Sequence, residues 1–194
     1  MTRWALVALS LLLFGCGPED IVVAQVDVAD GGSSDAADAP PSGTKCKLNG
    51  DCGPNEFCAR PTCASPDGQC QLRPLICDVE PHPVCGCDRV TYWNDCVRQQ
   101  RGANLASLGE CQVGAKCRAA SECPGPRPSC ARIVPGDQSC PPNLEGSCWA
   151  LPDACPPIGP GEPTFQECGG ANACRLICDA IRSGLPHRAV PCMP

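Results

Sequence analysis

The chain lacks the large apolar side chains with which an ordinary domain of its length builds a hydrophobic core. Aromatic residues make up 4% of its 194 residues, whereas it has 21 cysteines, 23 prolines and 20 glycines. Cysteine above about 8–10% is typical of a disulfide scaffold, and such scaffolds belong to oxidising compartments. We therefore expect covalent bridges to supply the stability, at roughly 2–5 kcal/mol per bridge in a small exported domain.

The sequence also lacks several features on which common function classes depend. Its net charge of −6 argues against nucleic acid binding, which requires basic patches. It has no glycine-rich phosphate loop and no candidate catalytic triad, so we expect neither enzyme activity nor a cofactor. His82 and His187 stand in loop and turn sequences and are expected to be solvated. Beyond the N-terminus, no apolar run reaches the roughly 18 residues of a membrane span.

Residues 1–15 are predicted to be a lipoprotein signal peptide. An apolar run of eleven residues follows Arg3, and this length is typical of a secretion signal and too short for a spanning helix. The run ends in the sequence LFGC, which resembles the bacterial lipobox with Cys16 as the lipidated residue. The alternative is an ordinary signal peptide and a secreted product, with Cys16 removed or left free.

Lipidation of Cys16 also accounts for the odd number of cysteines, because twenty then remain to form ten bridges. With an even number in an exported protein, we expect disulfides rather than a metal site built from thiolates. Diacyl attachment provides the two chains that stable membrane anchoring needs. Gly17 follows Cys16, and by resemblance to the sorting rules of enteric bacteria this favours the outer membrane.

Residues 16–44 are predicted to be a disordered tether. The segment 17–44 carries six acidic residues and no basic ones, together with many Gly, Ser and Pro residues. Low hydrophobicity combined with like charge disfavours a packed structure. A flexible chain of this length has a root-mean-square span of roughly 30 Å.

The cysteines after Cys16 divide into two groups of ten, in residues 45–112 and 113–194. The numbers of residues between successive cysteines are 5, 5, 4, 6, 6, 7, 1, 8, 14 in the first group and 5, 6, 9, 7, 6, 12, 5, 3, 13 in the second. The short sequences that match are Asp51-Cys52 with Glu122-Cys123, Cys58-Ala59-Arg60 with Cys130-Ala131-Arg132, and Gly68-Gln69-Cys70 with Gly146-Ser147-Cys148. These matches predict a tandem repeat; the alternative is two unrelated cysteine-rich modules.

The predicted fold is therefore small and disulfide-rich, with two tandem ten-cysteine units that are loop-rich and have little core. Each unit is expected to contain a short hairpin and one short α-helix. In the first unit Asn94 can cap a helix that runs to Gln100, and in the second the predicted cap is Asn172 and the predicted end is Gly184. The residues at helical spacing on one inward face of the second helix are Cys174, Ile177, Cys178 and Ile181.

Residues 77–111 carry a specific motif. It reads Cys77-x7-Cys85-Gly86-x-Asp88-x2-Thr91-Tyr92-x-Asn94-x-Cys96. This pattern resembles a Kazal-type serine protease inhibitor domain, which would cover about residues 70–111. The four cysteines that precede it, together with this domain, are similar to a follistatin-type module, in which a small hairpin subdomain precedes the Kazal domain.

The resemblance implies two disulfides and leaves a third to be inferred. The implied pairs are Cys77 with Cys96 and Cys85 with Cys111. The family has a further cysteine three residues after Cys96, where this chain has Gln99. The chain instead has Cys87 where the family usually has Ser, and we infer a bridge between Cys70 and Cys87.

The resemblance implies a substrate-like inhibitory loop between Cys77 and Cys85. Its reactive bond would be Val79–Glu80, with Val79 entering the specificity pocket of an elastase- or subtilisin-like serine protease. The Asn94 side chain would hold the loop rigid and so reduce the entropy lost on binding. Tyr92 is expected to pack beneath the loop with its hydroxyl bonded to backbone.

Two residues of the loop depart from the family pattern. Pro81 stands two residues after the reactive bond, where proteases normally contact a backbone N–H that proline does not have. Asp78 replaces the usual Thr, and we expect it to repel Glu80 where a supporting hydrogen bond is usual. The alternative function is therefore a non-inhibitory, disulfide-rich module for binding or adhesion at the cell surface.

Overall fold

The computed structural model describes residues 43–157, 163–170 and 174–190. These residues belong to one compact unit, residues 37–194. The predicted signal peptide, Cys16 and the predicted tether up to residue 42 lie outside the described residues. Within the described part, no helix is both long and apolar enough to cross a membrane.

The described chain is built from short strands and two short α-helices, in keeping with a small disulfide-rich fold. The strands are β1 (Lys45–Cys46), β2 (Glu56–Ala59), β3 (Gly68–Leu72), β4 (Val84–Gly86), β5 (Thr91–Tyr92), β6 (Leu105–Leu108), β7 (Lys116–Cys117), β8 (Ser129–Ala131), β9 (Ile133–Val134), β10 (Gly146–Ala150), β11 (Thr164–Glu167), β12 (Cys174–Leu176) and β13 (His187–Ala189). The helices are α1 (Asp95–Gln100) and α2 (Ile177–Ser183), with 3₁₀ turns at Asn49–Asp51 and Ala120–Glu122.

Three sheets organise these strands, in the orders β1-β3-β2, β6-β4-β5-β10-β7 with β8 on β10, and β12-β11-β13-β9. The second sheet joins the two ten-cysteine units. Its strand β5 pairs in parallel with β10, and the registers are Thr91 with Trp149 and Tyr92 with Ala150. The Trp93 N–H extends this pairing by donating to Ala150 O at 3.0 Å. The two units therefore share one sheet.

Three of the five aromatic side chains in the described part of the chain lie in one core between the units. Trp93 and Trp149 lie at its centre, with ring centroids 6.4 Å apart and planes tilted by 60°. Val97 of α1 and Ile181 of α2 are both buried in this cluster, one from each unit. Aromatic pairs of this kind contribute about 0.5–1.5 kcal/mol beyond their area burial. Although each unit alone has few large side chains, together they enclose a common core.

Nine disulfides are present among the described residues, and one of them corrects the sequence-based inference. The structure joins Cys77 to Cys96 and Cys85 to Cys111, as the family resemblance implies. The predicted bridge between Cys70 and Cys87 is wrong, because Cys70 is joined to Cys52 and Cys87 to Cys63. The reason lies in the fold: the Cys63 and Cys87 sulfurs both lie beside Leu105 O on β6, at 3.7 and 3.5 Å.

The bridges of the second unit follow nearly the same order as those of the first. The corresponding pairs are Cys46–Cys58 with Cys117–Cys130, Cys52–Cys70 with Cys123–Cys148, Cys63–Cys87 with Cys140–Cys168, and Cys77–Cys96 with Cys155–Cys178. The remaining cysteines differ in position, since Cys85 lies on β4 whereas Cys174 lies on β12. Cys174 is disulfide-bonded as well.

The first helix begins where the sequence predicts and the second does not. Asn94 caps α1, its Oδ1 accepting from Val97 N at 2.9 Å. The second helix begins at Ile177 after Leu176, so the predicted cap Asn172, which lies outside the described residues, does not start it. Cys174 is not on the helix, because β12 pairs with β11 and places Cys174 opposite Gln166.

The end of α2 and the burial of its apolar residues agree with the prediction. Gly184 follows the helix with φ of 68°, a conformation that favours glycine. Ile181 is 1% exposed, and Ile177 packs against the same core. His187 is the exception near this end: it was expected to be solvated, but it is fully buried because it begins β13. Its Nδ1 lies 2.7 Å from Leu185 O.

Candidate functional site

Two disulfides and two backbone contacts hold the loop between Cys77 and Cys85. The first bridge ties Cys77 to α1, and the second ties Cys85 on β4 to Cys111. Between them, the His82 N–H donates to Trp93 O at 3.0 Å, and Pro83 O accepts from the Gly109 N–H at 2.9 Å. The exposed part of the loop is thus anchored at both ends and near its middle.

Asn94 fixes the backbone on both sides of Val79. Its Nδ2 donates to Asp78 O and to Glu80 O, each at 3.1 Å. The same nitrogen lies 2.9 Å from Asp78 Oδ1. Because Asn94 is 4% exposed and also caps α1, its position is set by the helix. The backbone on both sides of Val79 is therefore held by a side chain whose own position the helix fixes.

The Asp78 carboxylate supports the loop, contrary to the expected repulsion of Glu80. Its Oδ1 accepts from the Glu80 N–H at 3.2 Å as well as from Asn94. The Glu80 carboxylate instead faces His82, with Oε2 3.7 Å from Nε2, and both side chains are largely exposed. An Asp at this position can make this local hydrogen bond to a backbone N–H two residues later.

The Val79 carbonyl is engaged by the protein itself. Trp93 Nε1 donates to Val79 O at 2.7 Å, and Trp93 is 1% exposed. In serine protease chemistry the oxygen of the attacked carbonyl must enter an oxyanion hole formed by hydrogen-bond donors of the enzyme. Here that oxygen already has an internal donor, held in place by the core.

The Val79 side chain is only partly exposed. It lines a small cavity of about 250 Å³ together with Leu75 and Ile76 on one side and Pro152 and Ala154 of the second unit on the other. Leu75 and Ile76 are themselves 83% and 90% exposed. The residue that would enter a specificity pocket therefore faces the second unit.

Tyr92 supports the base of β4, although not through the predicted bond to backbone. Its hydroxyl donates to Asp88 Oδ2 at 2.6 Å. Burial raises the pKa of the Tyr92 hydroxyl, and the hydrogen bond to Asp88 raises it further. A Cβ at Gly86 would lie 2.4 Å from Asp88 Oδ1 and 2.6 Å from Tyr92 Cε2. This close packing explains why the motif has glycine after Cys85.

Comparison with known proteins supports the Kazal resemblance over part of the chain. No family model matches the sequence. One curated protein, the "Reversion-inducing cysteine-rich protein with Kazal motifs" of Gallus gallus, is 48% identical over 44 residues. The match covers 23% of this chain and 5% of that protein. The match and the disulfides fit a Kazal-like cysteine-rich domain.

Within this Kazal-like domain the structure brings most of the predicted loop residues together. Asp78, Glu80 and Asn94 form one hydrogen-bonded group, and the Val79 carbonyl between them accepts from Trp93. Tyr92 belongs to a separate contact with Asp88. The sequence analysis did not identify Trp93, which occupies the unrestricted position of the motif between Tyr92 and Asn94. The available signal was a large aromatic residue in a chain that has few of them.

Two groups of cysteine sulfurs in the described residues lie close enough to hold a metal ion. They are Cys46, Cys52 and Cys70, and Cys117, Cys123 and Cys148, with sulfurs within 4.8 Å of one another. All six are disulfide-bonded, and metal binding requires thiolates. The three cysteines of each group belong to two neighbouring disulfides. One group lies in the first unit and the other lies in the second.

Proposed function

We propose that this protein is an exported, Kazal-like binding module of the cell envelope that does not inhibit serine proteases. The observation that carries the proposal is the hydrogen bond from Trp93 Nε1 to Val79 O. An inhibitory loop must offer this oxygen to the oxyanion hole of the protease. Here, binding in that way would first break an internal hydrogen bond, worth about 0.5–1.5 kcal/mol net.

Two further observations support the same proposal. The Val79 side chain faces Pro152 and Ala154 of the second unit, so a protease pocket would compete with this contact. Pro81 cannot donate the backbone hydrogen bond that proteases use after the cleaved bond. Asn94 holds the loop backbone in one conformation through its bonds to Asp78 O and Glu80 O. A loop held in this way can bind a partner without being cleaved.

The location and the duplication belong to this proposal. The apolar run after Arg3, the LFGC sequence and the odd number of cysteines support a lipoprotein anchored at the bacterial outer membrane. Three bridges that match in order, and a fourth that differs by one cysteine, support descent of residues 45–112 and 113–194 from one ten-cysteine module. In this proposal the acidic segment 17–44 spaces the folded part from the membrane.

A second candidate function is inhibition of an elastase- or subtilisin-like protease through Val79–Glu80. One observation favours it: Asn94 donates to the carbonyls on both sides of Val79, which is the arrangement that keeps a cleaved loop in place for religation. The two candidates differ in whether the loop can admit a protease while Trp93 holds the Val79 carbonyl.

An assay with the oxidised chain, residues 17–194, separates the two candidates. Protease activity is measured against excess protein for a panel of elastase- and subtilisin-like enzymes, and mass spectrometry follows cleavage at Val79–Glu80. We expect no inhibition and only slow cleavage at this bond. Saturable, tight inhibition by the unmodified protein would establish the second candidate and refute our proposal.

Trp93→Phe tests the decisive hydrogen bond. This change keeps most of the buried ring and removes the N–H donor to Val79 O, so we expect the rate of cleavage at Val79–Glu80 to increase about fivefold. Trp149→Phe is the matched control, because Trp149 packs in the same core on the other unit. An equal response of both variants, or none from Trp93→Phe, would contradict the role given to Trp93.

A further inference from the structure

A cleft of about 560 Å³ lies away from the loop, and both units contribute to it. Three cationic side chains line it, those of Lys47, Arg60 and Arg101, together with the backbone of Gly125. Among the described residues, Asp88 is the one acidic residue that lines the cleft, and its carboxylate accepts from the Tyr92 hydroxyl at 2.6 Å. The cleft therefore has an excess of positive charge.

Arg101 carries a buried positive charge that is only partly balanced by a nearby carboxylate. Its side chain is 9% exposed, and its nearest carboxylate, Asp153 Oδ1, lies 3.7 Å from the Arg101 amino group. Asp153 also pairs with Arg127 at 2.9 Å. The Arg101 Nε is buried without a hydrogen-bond partner among the described residues. Burial lowers the pKa of Arg101, and the charge of Arg127 lowers it further.

Arg60 presents a second guanidinium to the same cleft. Its Nε is likewise buried without a hydrogen-bond partner in the described part of the chain. In the second unit the corresponding Arg132 donates to Gly184 O at the end of α2. At the end of α1, by contrast, Gly102 O accepts from Asn49 Nδ2 at 2.9 Å. The helix-end carbonyl that serves Arg132 is thus used by Asn49 in the first unit, and Arg60 lines the cleft.

We propose that this cleft binds a sulfate or phosphate group between Arg60 and Arg101, with Lys47 at its edge. A tetrahedral oxoanion offers acceptors for guanidinium N–H groups, and such charge-assisted bonds are the strong ones. It would also supply the negative charge that Asp153, shared with Arg127, provides only in part. The site is independent of the loop and of its proposed function.

Binding is tested with inorganic sulfate and inorganic phosphate as probes on the oxidised chain, residues 17–194. Equilibrium dialysis measures saturable binding in sodium chloride of matched ionic strength. Direct binding is measured because sulfate also raises stability without binding, by exclusion from protein surfaces. We expect one saturable site, and about tenfold or greater weakening in Arg60→Gln and in Arg101→Gln.

Arg118→Gln is the control, because it removes the same charge from an exposed ion pair with Glu145 and should leave binding unchanged. If Arg101→Gln fails to fold, Arg60→Gln alone decides, since Arg60 is only partly buried. Absence of saturable binding, or equal binding by Arg60→Gln and Arg118→Gln, would overturn the proposal. Equal weakening by all three variants would show only a general effect of charge and would overturn it as well.

Discussion

The Asn94 side chain joins the loop to the first turn of α1. Its oxygen accepts from Val97 N, and its nitrogen donates to Asp78 O and Glu80 O. The two ends of one amide therefore have separable tasks, one for the helix and one for the loop. An N-cap of this kind contributes about 0.5–2 kcal/mol, and the loop contacts add rigidity between the two bridged cysteines.

Asn94→Asp should release the loop while it keeps the helix cap. The carboxylate can still accept from Val97 N, but it has no donor for the two loop carbonyls and it repels Asp78. We expect limited proteolysis within residues 78–82 to accelerate severalfold, with little change in the melting temperature. Asn94→Ala is the comparison, because it removes the cap as well and should lower the melting temperature. Unchanged proteolysis in Asn94→Asp would contradict the role assigned to the Nδ2 contacts.

Single residues were predictable where a local pattern determines them. Asn94 follows from the motif and from the rules of helix capping, because both depend on nearby residues. Trp93 was missed since the motif leaves its position open, and its bond to Val79 O requires the folded loop. The buried state of His187 and the Asp88 partner of Tyr92 likewise depend on strands that pair over longer distances.

The hairpins of the two units show how strand packing restricts side-chain size. A Cβ at Gly68 would lie 2.5 Å from Ala59 O, and a Cβ at Gly146 would lie 2.2 Å from Ala131 O. Gly68 is the first residue of β3 and Gly146 is the first residue of β10. Each glycine precedes a disulfide-bonded cysteine of the same strand by two residues. The same packing occurs at the corresponding place in each unit, which is expected if both units share one ancestor.

Gly68→Ala and Gly146→Ala should therefore destabilise the protein to a similar degree. Forcing a methyl group against a backbone carbonyl costs about 1–3 kcal/mol, which denaturant unfolding of each variant would measure. Gly50→Ala is the control, because a Cβ there meets nothing within 4 Å. A large loss in one hairpin and none in the other would argue against equivalent packing.

The elements differ in how far sequence could predict them. The first helix was located because its cap Asn94 and its end at Gln100 follow from local signals. The start of α2 was not, since the residues before it pair as β12 with β11, and strand pairing overrides helical spacing. The Cys70–Cys87 inference failed for a similar reason: the partner of each cysteine is set by which strands and connections meet in space.

The join between the two units governs the whole molecule. The parallel pairing of β5 with β10 and the contact of Trp93 with Trp149 place one unit's core against the other. The sequence predicts two units but not this join. The pairing of β5 with β10 involves only two residues of each strand, and Trp93 and Trp149 are far apart in the chain, so neither contact leaves a local sequence pattern. The join also places Pro152 and Ala154 beside Val79.

The first unit alone, residues 43–112, should therefore be less stable than the intact chain and should have a more open loop. Without β10 and Trp149, the Trp93 ring loses its partner and its fluorescence should shift to longer wavelength. We expect a lower melting temperature and faster cleavage after Val79, because the second unit no longer faces that side chain.

Peptide mapping must first show the five bridges of this unit, so that misoxidation is not mistaken for loss of the join. An isolated unit with the melting temperature and Trp93 emission of the intact protein would mean that the two units are stable independently. In that case the shared core would not be what holds Trp93 against the Val79 carbonyl.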